Sequence, residues 1–144
     1  MNTKPTPTYL ERDRSVDPAE INALYTAVGW NKKGQRTLER TTRMLQESPY
    51  FVVAIHNARI IGFGRILADA YVAQIFDIIV SPDFRRQGVA SVILQKILAF
   101  AEGKYLGISL IDGSGVEGLY EKAGFVAVNP DTDRLMYWQP DTTS

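Results

Sequence analysis

A chain of 144 residues, 45% hydrophobic and 22% charged, has the length and composition of one globular domain with a single sizeable core. Sixteen basic and sixteen acidic residues cancel, so no global field favours nucleic acid or an anionic membrane, and any anion site must be local. The absence of cysteine excludes disulfides, thiolate metal sites and a cysteine nucleophile; a lone histidine, His56, argues against a histidine-based metal site or a Ser-His-Asp triad.

Residues 1–7 read as a disordered tail, with prolines and threonines and no apolar partner. No apolar run approaches the roughly 18 residues of a membrane span, and the polar start has no signal-peptide pattern, so the expectation is a cytoplasmic, soluble protein. Tyr9 to Arg12 is a short strand. Asp17 then stands as N-cap, Pro18 at the first helical position and Glu20 at the capping-box position; Ile21, Leu24, Tyr25 and Val28 follow at helical spacing, and Gly29 ends the helix. A polar loop from Trp30 to Gln35 precedes a second helix over Arg36 to Glu47. Tyr50 to Ile55 and Ile60 to Leu67 are β-branched runs joined by His56-Asn57-Ala58-Arg59, which is a hairpin signature. Ala73 to Val80 is nearly continuous in apolar character and reads as a central strand. Gly88 to Ala101 is a helix apolar over most of its surface, so it must be covered. A strand at Gly107 to Ile111, a helix at Val116 to Ala123 and strands at Phe125 to Val128 and Arg134 to Trp138 complete the chain, the last two joined by the turn Asn129 to Asp133. Residues 140–144 form a second tail. No repeat or linker appears, which predicts a single domain over 1–144. Meandering strands followed by β-α-β crossovers predict an α/β (α+β) architecture, a mixed sheet with helices on both faces.

The stretch from Ile78 to Ala90 carries the clearest chemistry. An apolar strand ends at Val80-Ser81-Pro82, crosses a charged turn and becomes a helix that opens on Gly88. Backbone N–H groups in a first helical turn lack intrahelical partners and sit at the positive end of the macrodipole, which suits a phosphate. Arg85 and Arg86 add charge, and Gly88 permits close approach by a ligand. Neither a P-loop nor a dinucleotide-binding glycine fingerprint is present. What is present is Arg85-Arg86-Gln87-Gly88-Val89-Ala90, of the form [QR]-x-x-G-x-[GA], followed some thirty residues later by Leu119-Tyr120-Glu121-Lys122-Ala123-Gly124-Phe125.

These two blocks, in this order and in this context of strand and helix, resemble the GNAT superfamily of acyl-CoA-dependent N-acetyltransferases. The resemblance covers most of the chain in element order and implies a mixed, mostly antiparallel central sheet of six to seven strands. It implies that the glycine turn grips the pyrophosphate of acetyl-CoA through backbone N–H groups at Gln87, Gly88, Val89, Ala90 and Ser91, flanked by Arg85 and Arg86. It also implies that Ile78, Ile79 and Val80 belong to a splayed strand whose backbone pairs with the pantetheine arm, as an added strand would. Tyr120 corresponds to the tyrosine near the thioester sulfur, which gives a proton to the leaving thiolate, while a backbone N–H near Val80 serves the oxyanion. Where some members carry a glutamate base, Gln74 stands here; Asp77 is the candidate base, with Glu117 or a water chain as alternatives. Gly113 replaces an asparagine that many members place seven residues before the tyrosine. The implied partners are acetyl-CoA and an amine acceptor, with no metal, nucleic acid or membrane and with room for a homodimer.

Plainer readings stand beside these. Gly88 can serve a turn alone, Tyr120 can be a packing aromatic, Asp77 can cap a loop or form a salt bridge, and His56 can be a hairpin residue. Trp30, Tyr25 and Tyr71 are candidate lining for an acceptor pocket, although large aromatics usually belong to cores. The functional expectation is acetyl transfer to a primary amine of a small molecule or peptide. A non-catalytic acyl-CoA-binding module of the same fold is the alternative, motivated by Gln74 and Gly113. The helix-pair loop is basic and the Asn129 to Asp133 turn acidic, which leaves the acceptor's charge open.

Overall fold

Five strands and three α-helices organise residues 6–113, and a short fourth helix lies within residues 118–140; these are the residues that the computed structural model describes. They belong to two compact units, Met1–Ser114 and Gly115–Ser144. The predicted tails fall largely on residues 1–5 and 141–144, outside the described residues.

In the first unit, β1 (Thr8–Glu11), β2 (Tyr50–His56), β3 (Arg59–Ala68), β4 (Val72–Val80) and β5 (Gly107–Leu110) form one sheet in sequence order. The first three pairings are antiparallel and β4 with β5 is parallel. The β2–β3 hairpin turns on Asn57 and Ala58, with φ of 50° and 62°, the left-handed pair a two-residue hairpin needs to match the twist of its strands.

Helix α1 (Pro18–Ala27) starts where the sequence says it should: Asp17 accepts a hydrogen bond from the Ala19 backbone N–H at 2.9 Å. Helix α2 (Leu38–Glu47) begins two residues later than predicted, because the Thr37 side chain accepts from the Arg40 N–H and caps it there. Both cover one face of the sheet, where Ile21, Leu24, Tyr25 and Leu45 meet Phe51, Val53, Phe63 and Ile79. Helix α3 (Val89–Ala101) covers the other face. Strand β2 is buried on both faces from Tyr50 to Ala54, so its run of apolar residues is continuous rather than alternating. Tyr50 stacks on Phe100 of α3, with ring centroids 4.7 Å apart, and its hydroxyl donates to Glu11 Oε1 at 2.6 Å.

Gly62 and Gly64 set how closely α3 approaches. A Cβ on Gly64 would lie 2.6 Å from Ile93 Cγ2 and 3.0 Å from Ile97 Cδ1; one on Gly62 would meet Ile93 Cδ1 at 3.0 Å and Val89 Cγ1 at 3.1 Å. The helix axis therefore rests on bare backbone, and its first turn is fixed against β3.

The sheet has five strands rather than six or seven. Among the described residues no ladder includes 125–128 or 134–138, the two segments predicted as strands. Their apolar pattern is that of strands, but pairing of backbone groups is what makes one, and the side chains of Val126, Val128, Leu135, Met136, Tyr137 and Trp138 are exposed. The turn between them does form: Asp131 and Asp133 N–H donate to the Asn129 side-chain and backbone oxygens at 2.9 and 2.8 Å.

Candidate functional site

Strand β4 changes character at its midpoint. Its pairing with β5 ends at Ile75↔Leu110, so from Phe76 to Val80 the edge facing β5 has no strand partner among the described residues. On the other side, Phe63 pairs with Ile79 and Arg65 with Phe76, so Gly64 alone opposes both Asp77 and Ile78. This is a β-bulge, with Asp77 in the left-handed region at φ 58°. Ile78, Ile79 and Val80, the predicted splayed segment, thus follow a bulge and carry an open backbone edge.

The bulge turns Asp77 toward α1. Its Oδ2 accepts from the Tyr25 hydroxyl at 2.6 Å and from Arg65 Nε at 3.2 Å. Burial first, and then the charge of Asp77 and its hydrogen bond, push the Tyr25 phenol well above its ordinary range, so Tyr25 is a standing donor. The Arg36 guanidinium lies over the Tyr25 ring, 3.3 Å from its centroid. Sequence reading singled out Asp77 and Tyr25 but missed Arg65 and Arg36. A signal existed for Arg65, the one charged residue in the run from Ile60 to Leu67.

After Val80, the Ser81 N–H donates to the Ile61 carbonyl at 2.8 Å and a 3₁₀ turn spans Pro82–Phe84. Arg85 and Arg86 follow, both exposed, with Arg86 at φ 63°, and Arg85 Nε reaches back to the Val80 carbonyl at 3.4 Å. Gly88 caps α3 at φ 82°, where no side chain serves as cap and an added Cβ would meet nothing within 4 Å. The N–H groups of Val89, Ala90 and Ser91 have no partner among the described residues, and the next one, Val92 N–H, donates to Gly88. Gln87 Oε1 is buried and likewise unpartnered among them. Unclaimed donors, open space over a glycine and two guanidinium groups make a cradle that fits a phosphate. His56 ends β2 with its ring edge on Phe84 at 5.3 Å, so it packs against this turn rather than standing free in the hairpin.

Of the aromatics considered for a pocket, Tyr25 is core and Tyr71 is exposed, while Trp30 lines a cleft of about 450 Å³ between α2 and the loop that joins α1 to it. Gln74 sits on β4 opposite Leu67 and Ser109, as counted from the sequence.

In the second unit, α4 (Leu119–Lys122) opens on Gly118 at φ 78°. Tyr120 is buried within it, its ring edge-on to Phe125 at 6.2 Å, and its carbonyl accepts from the Phe125 N–H at 3.0 Å. Gly124, at φ 100°, lets the chain double back to make that contact. The helix is shorter than predicted, and Val116 and the alternative base Glu117 lie outside the described residues.

Residues 16–125 match a family model described as the acetyltransferase (GNAT) family. The histone acetyltransferase TAP1 of Glycine max is 29% identical over 140 residues, covering 88% of this chain and 58% of its own length. The chloroplastic GCN5-related N-acetyltransferase 2 of Arabidopsis thaliana is 26% identical over 148 residues, covering 87% and 55%. The chain thus spans a little over half the length of these curated relatives. A Staphylococcus aureus protein described as a probable acetyltransferase superposes with a TM-score of 0.79 at 26% identity, over 94% of this chain and all of that one. A Streptococcus pneumoniae protein of the GNAT family superposes at 0.77 over 94% and 99%; at 23% identity it speaks for the fold alone.

Proposed function

The chain belongs to the acetyltransferase (GNAT) family, and from that premise we propose that it transfers the acetyl group of acetyl-CoA directly to a primary amine of a small molecule or peptide. One observation carries the donor half of this reading: the open backbone edge of β4 from Phe76 to Val80 runs straight into the unclaimed N–H groups at the start of α3. An amide-bearing arm can add to such an edge as a strand while its pyrophosphate rests on the helix start, with Arg85 and Arg86 beside it. Ile78, Ile79 and Val80 take the arm; Gln87, Gly88, Val89, Ala90 and Ser91 take the pyrophosphate.

The reaction then needs three services. The amine nitrogen, once neutral, attacks the thioester carbonyl, and the C–N bond forms as the carbonyl oxygen becomes an oxyanion. A backbone N–H near Val80 stabilises that charge. The tetrahedral intermediate collapses with cleavage of the C–S bond, and Tyr120 gives its hydroxyl proton to the thiolate. The amine's proton passes to Asp77 directly or through water; Asp77 Oδ2 already holds two donors, so the receiving atom is Oδ1. One N-acetyltransferase domain over 1–144 and a cytoplasmic setting belong to the same reading. Among the described residues no helix is long and apolar enough to cross a membrane, while one named relative is chloroplastic.

The test is thiol release from acetyl-CoA across an amine panel, with Tyr120→Phe alongside. Turnover that falls about a hundredfold or more in Tyr120→Phe while CoA binding persists supports the assignment. A chain that neither binds CoA nor acetylates any amine overturns it. Gln74 and Gly113, where some family members carry a glutamate and many an asparagine, favour a second reading, an acyl-CoA-binding module without turnover. Saturable CoA binding with no transfer to a broad panel would select that one.

A further inference from the structure

We infer that the acceptor carries an anionic group, a carboxylate or a phosphate, held in the cleft between α2 and the α1–α2 loop by Lys33, Arg36 and Arg40. This rests on the acetyl-transfer reading and adds the acceptor's chemical class to it. The cleft's volume of about 450 Å³ is that of a small-molecule site. Lys32, Lys33, Arg36 and Arg40 line it and no acidic side chain does. The whole chain is neutral, so this is a local accumulation of charge. Among the described residues the only ion pairs are Arg43 with Glu47 and Arg65 with Asp77, which leaves all four lining cations without a carboxylate.

Arg36 packs on the Tyr25 ring, but Lys32, Lys33 and Arg40 have no such contact among the described residues, and four like charges around one concavity repel one another. An anion entering the cleft would relieve that repulsion, and a concave wall concentrates the field. Arginines are suited to that task, because a guanidinium fork matches a carboxylate or phosphate with two parallel hydrogen bonds.

A chain of side-chain contacts also ties the cleft wall to the reaction centre proposed above. Arg36, on its wall, lies on the Tyr25 ring at 3.3 Å, and the Tyr25 hydroxyl meets Asp77 at 2.6 Å, within the stretch of β4 that carries the open edge. An acceptor anchored by its anion at Arg36 and Arg40 would extend its amine toward Asp77. The same charges disfavour a polybasic acceptor, which would bring its own cations into the cleft.

Matched amines that differ in one charge test this: glutamate against glutamine, and 2-aminoethyl phosphate against ethanolamine, with spermidine and a lysine-rich peptide as cationic competitors. The anionic member of at least one pair should exceed its neutral partner in kcat/KM by about tenfold to a hundredfold, through KM. The pair that shows the larger ratio tells carboxylate from phosphate. Lys33→Gln and Arg40→Gln, both exposed positions, should each lower that ratio several-fold by raising KM for the anionic amine. Transfer that proceeds with ratios of one or below, or that prefers spermidine or the peptide, overturns the inference and leaves acetyl transfer standing. If no amine is acetylated, the proposed activity is what fails. Calorimetric titration of the CoA-loaded chain with glutamate and with 2-aminoethyl phosphate then decides the cleft separately. Binding that Arg40→Gln abolishes supports it, and no binding of either overturns it.

Discussion

Gly64→Ala is the most direct test of how the donor turn is positioned. The new Cβ would lie 2.6 Å from Ile93 Cγ2, whereas carbons rest about 3.5–4.0 Å apart, so the overlap is about 1 Å. Ile93 is fully buried, and a β-branched side chain on a helix holds a single χ1 rotamer, so that methyl cannot swing aside. The remaining response is for α3 to back away from β3, and overpacking of this kind costs about 1–3 kcal/mol. Urea unfolding at a slope of about 1–3 kcal/mol per molar should show the midpoint falling by about 1 M. Because α3 carries Gly88 to Ser91 on its first turn, CoA affinity should fall as well. Ile93→Ala removes the obstructing methyl, so the double variant should be less destabilised than the sum of the singles by about 1 kcal/mol or more. If Gly64→Ala stays within about 0.5 kcal/mol of the parent, or if the two substitutions add, the glycine is not what seats the helix.

Three further outcomes follow from the same structure. Gly88→Ala meets no atom but must adopt φ 82°, so it should cost about 1–2 kcal/mol in urea unfolding and weaken CoA binding measured by calorimetry. Ala58→Gly relieves a left-handed alanine at φ 62° in the hairpin and should stabilise by about 1 kcal/mol in the same unfolding assay. Tyr25→Phe removes the hydrogen bond to Asp77 and should cost about 1–3 kcal/mol at neutral pH. It should also flatten the alkaline side of the stability profile. The folded phenol keeps its proton where the unfolded one, at about 10, loses it, so stability is full below pH 10 and declines above it by about 1.4 kcal/mol per pH unit for each such tyrosine. Tyr50, shifted the same way by burial, leaves a residual slope in the variant.

Local signals were legible wherever the deciding interaction is local. Asp17 before Pro18, the Asn57-Ala58 turn and Gly88 before α3 are each settled within a few residues, and each lies where the sequence predicts it. The Ile78 to Ala90 block reads as strand, turn and helix start from its own residues, and α3 does open on Gly88 there. The bulge at Asp77 could not be read, since it depends on Gly64 of the neighbouring strand opposing two residues. Arg36 on Tyr25 depends in the same way on how the α1–α2 loop folds back. The two terminal segments mislead in the opposite sense: the apolar runs at 125–128 and 134–138 state what a strand would present, but not what it would pair with.

The bulge at Asp77 explains why several features of the candidate site coincide. A bulge bends its strand and increases its twist. Strand β4 parts from β5 after Ile75, two residues before Asp77, so the bend and the loss of pairing begin together. The same irregularity rotates one carboxylate out of the alternation and toward α1, where Tyr25 of α1 and Arg65 of β3 hold it. A left-handed Asp in a strand is mildly unfavourable, and those two donors offset that cost. Restoring regular β3–β4 pairing would therefore withdraw the carboxylate from Tyr25 and Arg65. The open edge that faces β5 and the Asp77 carboxylate thus lie beside each other on one strand, the second set there by one inserted residue.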